Sequence, residues 1–206
     1  RPAYASELAD WVEAAPELAD RLRSGGRIVD IGCGGGWSTI ALARAFPEAE
    51  VVGIDADAAS IDDAVANAAA TAPDVDIRFE LLDASDPIEE YGADLVLILE
   101  ALHDMARPAE ALEAARRILA DGGAVLVADE KVSPTFVAPG DELERMMYGW
   151  SVSHCLPVAM AEEPSAAIGT VIRPSTVKAL AREAGFASTE LSDIDAGFFN
   201  LYVLRP

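Results

Sequence analysis

The stretch Val29-Asp30-Ile31-Gly32-Cys33-Gly34-Gly35-Gly36-Trp37-Ser38 passes from an apolar strand through a glycine-rich turn into a helical pattern, and the next apolar strand ends in an acid, Asp55. Glycines at alternate positions let the backbone bend tightly and approach a ligand without Cβ interference, and the helix that follows offers free N–H groups. Together these features predict a cofactor of nucleotide type. A phosphate-cradling P-loop needs Gly-Lys-Ser/Thr after the turn, and this loop holds no cation, which argues against nucleoside triphosphates. The dinucleotide fingerprint G-x-G-x-x-G fits Gly32 and Gly34 but fails at Trp37, where close helix packing wants a minimal side chain. An NAD-dependent oxidoreductase is therefore the alternative rather than the first reading.

A chain of 206 residues suits one domain, or one domain with a helical appendage, and half of its residues are apolar, enough for a real core. The net charge of −21 repels phosphate backbones and predicts no nucleic-acid partner. No apolar run is long enough to span a bilayer and no basic-then-apolar leader opens the chain, so a soluble cytoplasmic protein with no membrane partner is expected. Cys33 and Cys155 lie far apart and form no metal spacing, which predicts two free thiols and no metal. The chain begins at Arg1, already within a helical pattern, and the expectation is that sequence upstream has been removed.

Helix-period apolar positions (Leu8, Trp11, Val12, Leu18, Leu22) predict a helix from Tyr4 to Ser24, stopped by Gly25-Gly26. Strand-like runs at Arg27 to Ile31, Val51 to Asp55, Ile77 to Leu82, Leu95 to Leu99 and Ala124 to Ala128 then alternate with helical stretches at Ser38 to Phe46, Ser60 to Ala70 and Ala109 to Leu119. A final helix near Ser175 to Ala184 precedes strands near Thr189 to Ile194 and Phe198 to Leu204. This alternation predicts an α/β fold, a Rossmann-like doubly wound sheet of about seven strands with helices on both faces. Residues 1–24 read as an N-terminal helical segment and 25–206 as the α/β domain. An insertion at about 131–172, broken by Ser-Pro, Pro-Gly and Leu-Pro around a helix from Asp141 to Cys155, reads as a lid or substrate-facing element.

Open parallel sheets bind ligands at the carboxyl ends of their strands, and Asp30, Asp55, Asp83, Glu100 and Asp129 sit at or beside such ends. A carboxylate at the tip of the second strand can accept hydrogen bonds from both hydroxyls of a ribose, which is the role read for Asp55. The spacing Asp30-x-Gly32-x-Gly34-x-Gly36 resembles motif I of the class I S-adenosylmethionine (SAM) methyltransferases. That resemblance implies SAM as cofactor and S-adenosylhomocysteine (SAH) as product, a last strand running antiparallel, and a cofactor site made of Asp30, Gly32, Cys33, Gly34, Asp55, Ala56, Asp83, Ala84 and Glu100. Within it Asp83, in Leu81-Leu82-Asp83-Ala84, matches the acid that meets the adenine amine. Asp30 takes a structural or methionine-amine role, Cys33 packs in the loop, and Glu100 lines the cofactor or substrate pocket.

The segment Asp94 to Met105 contains no Asn-Pro-Pro-Tyr-like motif of the enzymes that methylate DNA bases, which again points to a small-molecule acceptor. Its Leu102-His103-Asp104 resembles the winged-helix small-molecule O-methyltransferases, in which this histidine deprotonates a hydroxyl. Displacement of a methyl group from a sulfonium requires alignment and, for a hydroxyl acceptor, removal of a proton, so a histidine titrating near neutrality suits the task. The resemblance implies His103 as general base oriented by Asp129 or Glu130, with a pocket-shaping role for His103 as the alternative. In the insertion, Leu143, Met146, Met147, Trp150 and His154 follow the spacing of one helical face. That stripe reads as core or as a cover over an apolar acceptor, with Met147, Trp150 and His154 as the substrate-binding candidates. Tyr148 to Pro157 resembles a bacterial group in which a helix-turn-helix domain precedes the methyltransferase domain. In that group the extra domain contributes to dimerisation and substrate enclosure, so a homodimer is one expectation. A SAM-binding regulatory or partner protein without catalysis is the third hypothesis.

Overall fold

The computed structural model describes residues 3–86, 88 and 91–206. Seven strands form one sheet: β1 (Arg27–Ile31), β2 (Glu50–Asp55), β3 (Ile77–Leu81), β4 (Ala93–Leu99), β5 (Leu119–Glu130), β6 (Ser188–Leu191) and β7 (Phe199–Arg205), in the order β3-β2-β1-β4-β5-β7-β6. The first five strands are parallel, and β7 runs antiparallel to both β5 and β6. Strand order reverses between β1 and β4, which opens a crevice beyond their carboxyl ends where parallel sheets place ligands.

The run Leu95-Val96-Leu97-Ile98-Leu99 is apolar at every position because β4 is covered on both faces. Side chains alternate across a strand, so Leu95, Leu97 and Leu99 join a core with Leu8, Trp11, Leu22, Leu42 and Phe46 on one face. Val96 and Ile98 join the other core with Leu112, Val177, Phe186 and Tyr202. Helices α1 (Leu8–Glu13), α2 (Pro16–Arg23) and α3 (Trp37–Ala45) supply the first layer, and α5 (Pro108–Arg117) with α8 (Pro174–Glu183) the second. Among the described residues no helix is long and apolar enough to cross a membrane.

Two expected helices are divided. The single helix read over Tyr4 to Ser24 breaks at Ala14-Ala15, because Pro16 drives Ala15 out of the helical region (φ −115°, ψ 82°) and then starts α2 at its first position. The helix read over Asp141 to Cys155 is α6 (Glu142–Trp150), capped by Asp141 accepting from the Glu144 N–H at 2.8 Å, followed by a π turn over Ser151–Cys155 and a short α7 (Leu156–Ala159). Pro157 has no N–H to return to the preceding turn, and the wider turn accommodates that loss. The α4 helix (Ala58–Thr71) starts at Asp57, whose carboxylate accepts from the Ser60 N–H at 2.9 Å.

Candidate active site

The glycine loop is shaped by backbone bonds to β2. Gly32 and Cys33 donate to the Ile54 carbonyl at 2.9 and 3.1 Å, and Gly34 donates to Asp55 Oδ2 at 2.8 Å. Gly36 enters α3 in the left-handed region (φ +75°), and a Cβ there would meet Phe79 and Ala64 at 2.8–2.9 Å, so only glycine lets the loop descend into the helix. Asp30 points inward: it is 1 % exposed and its Oδ2 accepts from the hydroxyls of Ser38 at 2.6 Å and Thr39 at 2.7 Å. Burial raises its pKa to about 6 against the pull of those two donors. Asp30 thus ties the end of β1 to the first turn of α3 and does not line the cleft. Cys33 is buried too, and burial beside Asp30 and Asp55 pushes its pKa up, which keeps it a thiol.

Beyond the carboxyl ends of β1, β2 and β4 lies a cleft of about 590 Å³. Gly32, Asp55, Ala56, Asp83, Ala84 and Glu100 of the expected cofactor residues line it; Asp30, Cys33 and Gly34 stand behind as the frame of the loop. Asp55 holds two backbone donors, Gly34 N on Oδ2 and Asp57 N on Oδ1, at 2.8 and 2.9 Å. Asp83 accepts from Ser85 N at 2.7 Å and from Arg107 at 2.8 Å. Sequence reasoning did not single out Arg107, because no motif marks a cation 24 residues downstream that returns to the same turn. Glu100 has φ +52°, a conformation that a side-chain-bearing residue adopts at a cost, and its N–H donates to the Ala128 carbonyl at 2.8 Å. Burial first, then the charge of Asp129, raises its pKa.

His103, Asp129 and Glu130 come together. The imidazole Nδ1 lies 2.6 Å from Asp129 Oδ1 and 3.2 Å from Glu130 Oε2, and the three residues are 2 %, 0 % and 7 % exposed. Only the Asp129 contact is aligned as a hydrogen bond. Burial disfavours charge on the ring, and the carboxylates of Asp129, Glu130 and Asp104 outweigh it, raising the His103 pKa to about 10. Burial first, and then the neighbouring Asp129, push the Glu130 pKa up to about 9. The other ring nitrogen, Nε2, faces Asp104 Oδ1 at 3.2 Å. Asp104 lines the cleft and His103 does not. Among the described residues two groups have metal-ligand spacing, His103-Asp129-Glu130 and His103-Asp104-Cys155, each with candidate ligand atoms within 4.8 Å.

The insertion closes one side. Gly169 N donates to the His103 carbonyl at 3.1 Å, Ala166 N donates to the Ala106 carbonyl at 2.8 Å, and Arg173 binds Glu144 and the Ser133 carbonyl. Its contribution to the cleft is Val158, Ala161 and Glu162. Met147 is fully buried, Trp150 is 50 % exposed and His154 is exposed, and none of the three lines the cleft. The π turn bears on His154, since it takes more residues per turn and rotates that side chain off the face that carries Met147.

A family model described as "Methyltransferase domain" matches residues 22–185. The 27-O-demethylrifamycin SV methyltransferase of Amycolatopsis mediterranei is 31% identical over 219 residues, covering 97% of this chain and 79% of that protein. A ubiquinone biosynthesis O-methyltransferase of Pseudomonas aeruginosa is 30% identical, covering 90% of this chain and 71% of that one. Among solved structures, an O-methyltransferase family protein from Burkholderia thailandensis superposes with a TM-score of 0.70 at 18% identity, over 98% of this chain and 57% of its own. This chain therefore spans little more than half of that structure. The strand order, the loop and these matches have one explanation: the chain belongs to the class I SAM-dependent methyltransferases.

Proposed function

We propose that the protein transfers the methyl group of SAM to a hydroxyl oxygen of a small molecule held above the ends of β4 and β5. The observation that carries this reading is one continuous cleft that runs from Asp55 and Asp83 past Glu100 to Asp104 and Glu162. The residues present fit the cofactor. Gly32 lines the cleft with bare backbone, packed so close to Ala101 that a Cβ would fall 2.7 Å from it, and each Asp55 oxygen has spent one lone pair on a backbone N–H and keeps another for a ribose hydroxyl. Asp55 and Ala56 would hold the ribose, Asp83 and Ala84 the adenine, and Gly32 and Glu100 the methionine end, with Asp30, Cys33 and Gly34 fixing the loop. SAM supplies an electrophilic methyl group on a cationic sulfur.

Support for oxygen as the acceptor atom comes from relatives that are named O-methyltransferases. The buried His103, Asp129 and Glu130 serve the acceptor end as a charge cluster. The insertion at 131–172 acts as the cover, presenting Val158 and Glu162 to the acceptor, with Met147 as the core of that cover and Trp150 and His154 on its outer side. A charge of −21 fits a small molecule and disfavours nucleic acid as partner. A homodimer and a cytoplasmic location complete the reading.

Calorimetry with SAM and SAH tests the site. Asp55→Ala is expected to weaken both by roughly tenfold or more, since hydrogen bonds to a charged group contribute about 1.5–3 kcal/mol each. Unchanged affinity would sink the assignment of Asp55. Formation of SAH on incubation with hydroxyl-bearing acceptors tests transfer itself.

A further inference from the structure

The insertion carries one long helical rod, residues 142–159, in which α6, the π turn and α7 follow each other directly. Glu144, Met147, Ser151 and Ala159 form its buried line, so one stripe packs on the domain and the opposite face is open. On such a face water is ordinarily met by charged side chains. Instead, residues 146–161 contain no Asp, Glu, Lys or Arg, the longest uncharged stretch in a chain of which a quarter is charged. Met146 and Trp150 stand one turn apart on the open side, and so do Tyr148 and Val152. Phe136, from the uncharged run 132–140, meets the Tyr148 ring edge to face with centroids 6.4 Å apart. Trp150 is 50 % exposed, Met160 56 %, and Phe136 and Val152 each 66 %.

From this face we infer that a second copy of the chain docks on the insertion, across a two-fold axis. The inference rests on the homodimer reading and names its surface. Charge selects the occupant: each chain carries −21, so two copies repel wherever their acids meet, and the uncharged face lets them approach without that repulsion. A two-fold contact sets one patch against itself, which neutral apolar surface satisfies and a patch of one sign does not. The exposed parts of Phe136, Met146, Tyr148, Trp150, Val152 and Met160 present on the order of 600 Å² per copy, taking about 150–250 Å² for a large side chain in full. Two such faces reach the roughly 1,200 Å² at which stable interfaces begin. The face is also held in place, since the Tyr148 hydroxyl accepts from Arg173 at 3.1 Å and its ring rests on Phe136, so docking costs little side-chain freedom there. Val158 is exposed on the same rod and lines the cleft, so a docked copy borders the acceptor end.

Sedimentation velocity of the full chain from about 1 to 100 µM reads the state of assembly. A concentration-dependent dimer is expected, and it should tighten as sodium chloride rises, because salt screens the mutual repulsion and leaves apolar contact intact. Trp150→Glu should weaken the dimer about 30-fold or more, the loss carried by a central aromatic, and Val152→Glu should act in the same direction. Trp150→Phe should keep the dimer. Both positions face water in the single chain, so circular dichroism and SAH affinity of the glutamate variants should stay at wild-type values. A monomer at every concentration, whether free or taken up by phosphatidylcholine vesicles, overturns the homodimer and its surface together. A dimer that both glutamate variants leave intact overturns the surface alone, and a dimer that dissociates as salt rises does the same by assigning the contact to ion pairs. Failure to bind SAH would sink the methyltransferase reading, and sedimentation would still decide the interface.

Discussion

At the scale of single residues, the His103 cluster makes the fold sensitive to alkali. A histidine with a folded-state pKa near 10 and an unfolded value of about 6.5 stabilises the fold fully below pH 6.5 and loses that contribution as pH rises through 10. Glu130, raised to about 9, adds a slope of the same sign between its unfolded value and that pH, because the folded state retains a proton that the unfolded chain has released. Urea unfolding at several pH values between 6 and 10 should show stability falling, and His103→Gln should flatten the upper part of the fall. A wild-type curve without slope across that range would contradict the buried charge arrangement. Asp30 acts in the same sense at lower pH: its folded-state value of about 6 means that ionising it costs stability as pH rises from about 4 to 6. The loop anchor is therefore held at an energetic cost, as expected where function sets the geometry.

At the scale of elements, the insertion is fastened to the domain by few groups, and Arg173 is the principal one. It precedes α8, binds Glu144 of α6 and the Ser133 carbonyl, and is 15 % exposed against 3 % for its partner. Removing one member of a buried ion pair leaves the other uncompensated, at a cost of about 3–5 kcal/mol. Arg173→Ala is expected to release amide protection across α6 and α7 while β1, β4 and β5 keep theirs, as measured by hydrogen exchange. Loss of protection throughout the sheet would show instead that the insertion is part of the central cooperative unit. Where the sequence and the folded elements part, the reasons are local. The break at Pro16 was written in the sequence and its effect on Ala15 is steric, whereas the π turn at Ser151–Cys155 accommodates Pro157 and packs under Gly169, where a Cβ would come within 2.3 Å of the Ser151 hydroxyl.

At the scale of the whole molecule, a charge of −21 sets up self-repulsion that a compact state feels more than an extended one. Raising salt from about 0.05 M to 0.5 M shortens the screening length to a few ångströms and should raise Tm, as followed by circular dichroism. A Tm that falls with added sodium chloride would show that attractive ion pairs, such as Arg27 with Glu50 and Arg107 with Asp83, outweigh the net repulsion. The amino-acid sequence by itself determined the doubly wound sheet, the cofactor loop and the acids at its strand tips, because strand periodicity, glycine permissiveness and chain alternation are local signals. Which way a side chain faces after a strand ends was decided only by the tertiary structure. His103 and Asp104 are adjacent in a motif, yet a 3-10 turn sends one into the core and the other to the cleft. Likewise Met147, Trp150 and His154 share a helical spacing that a π turn divides, and Val158 and Glu162 reach the cleft instead. Spacing along a chain fixes a face only while the helix keeps its period, and in this molecule the period changes where the site is built.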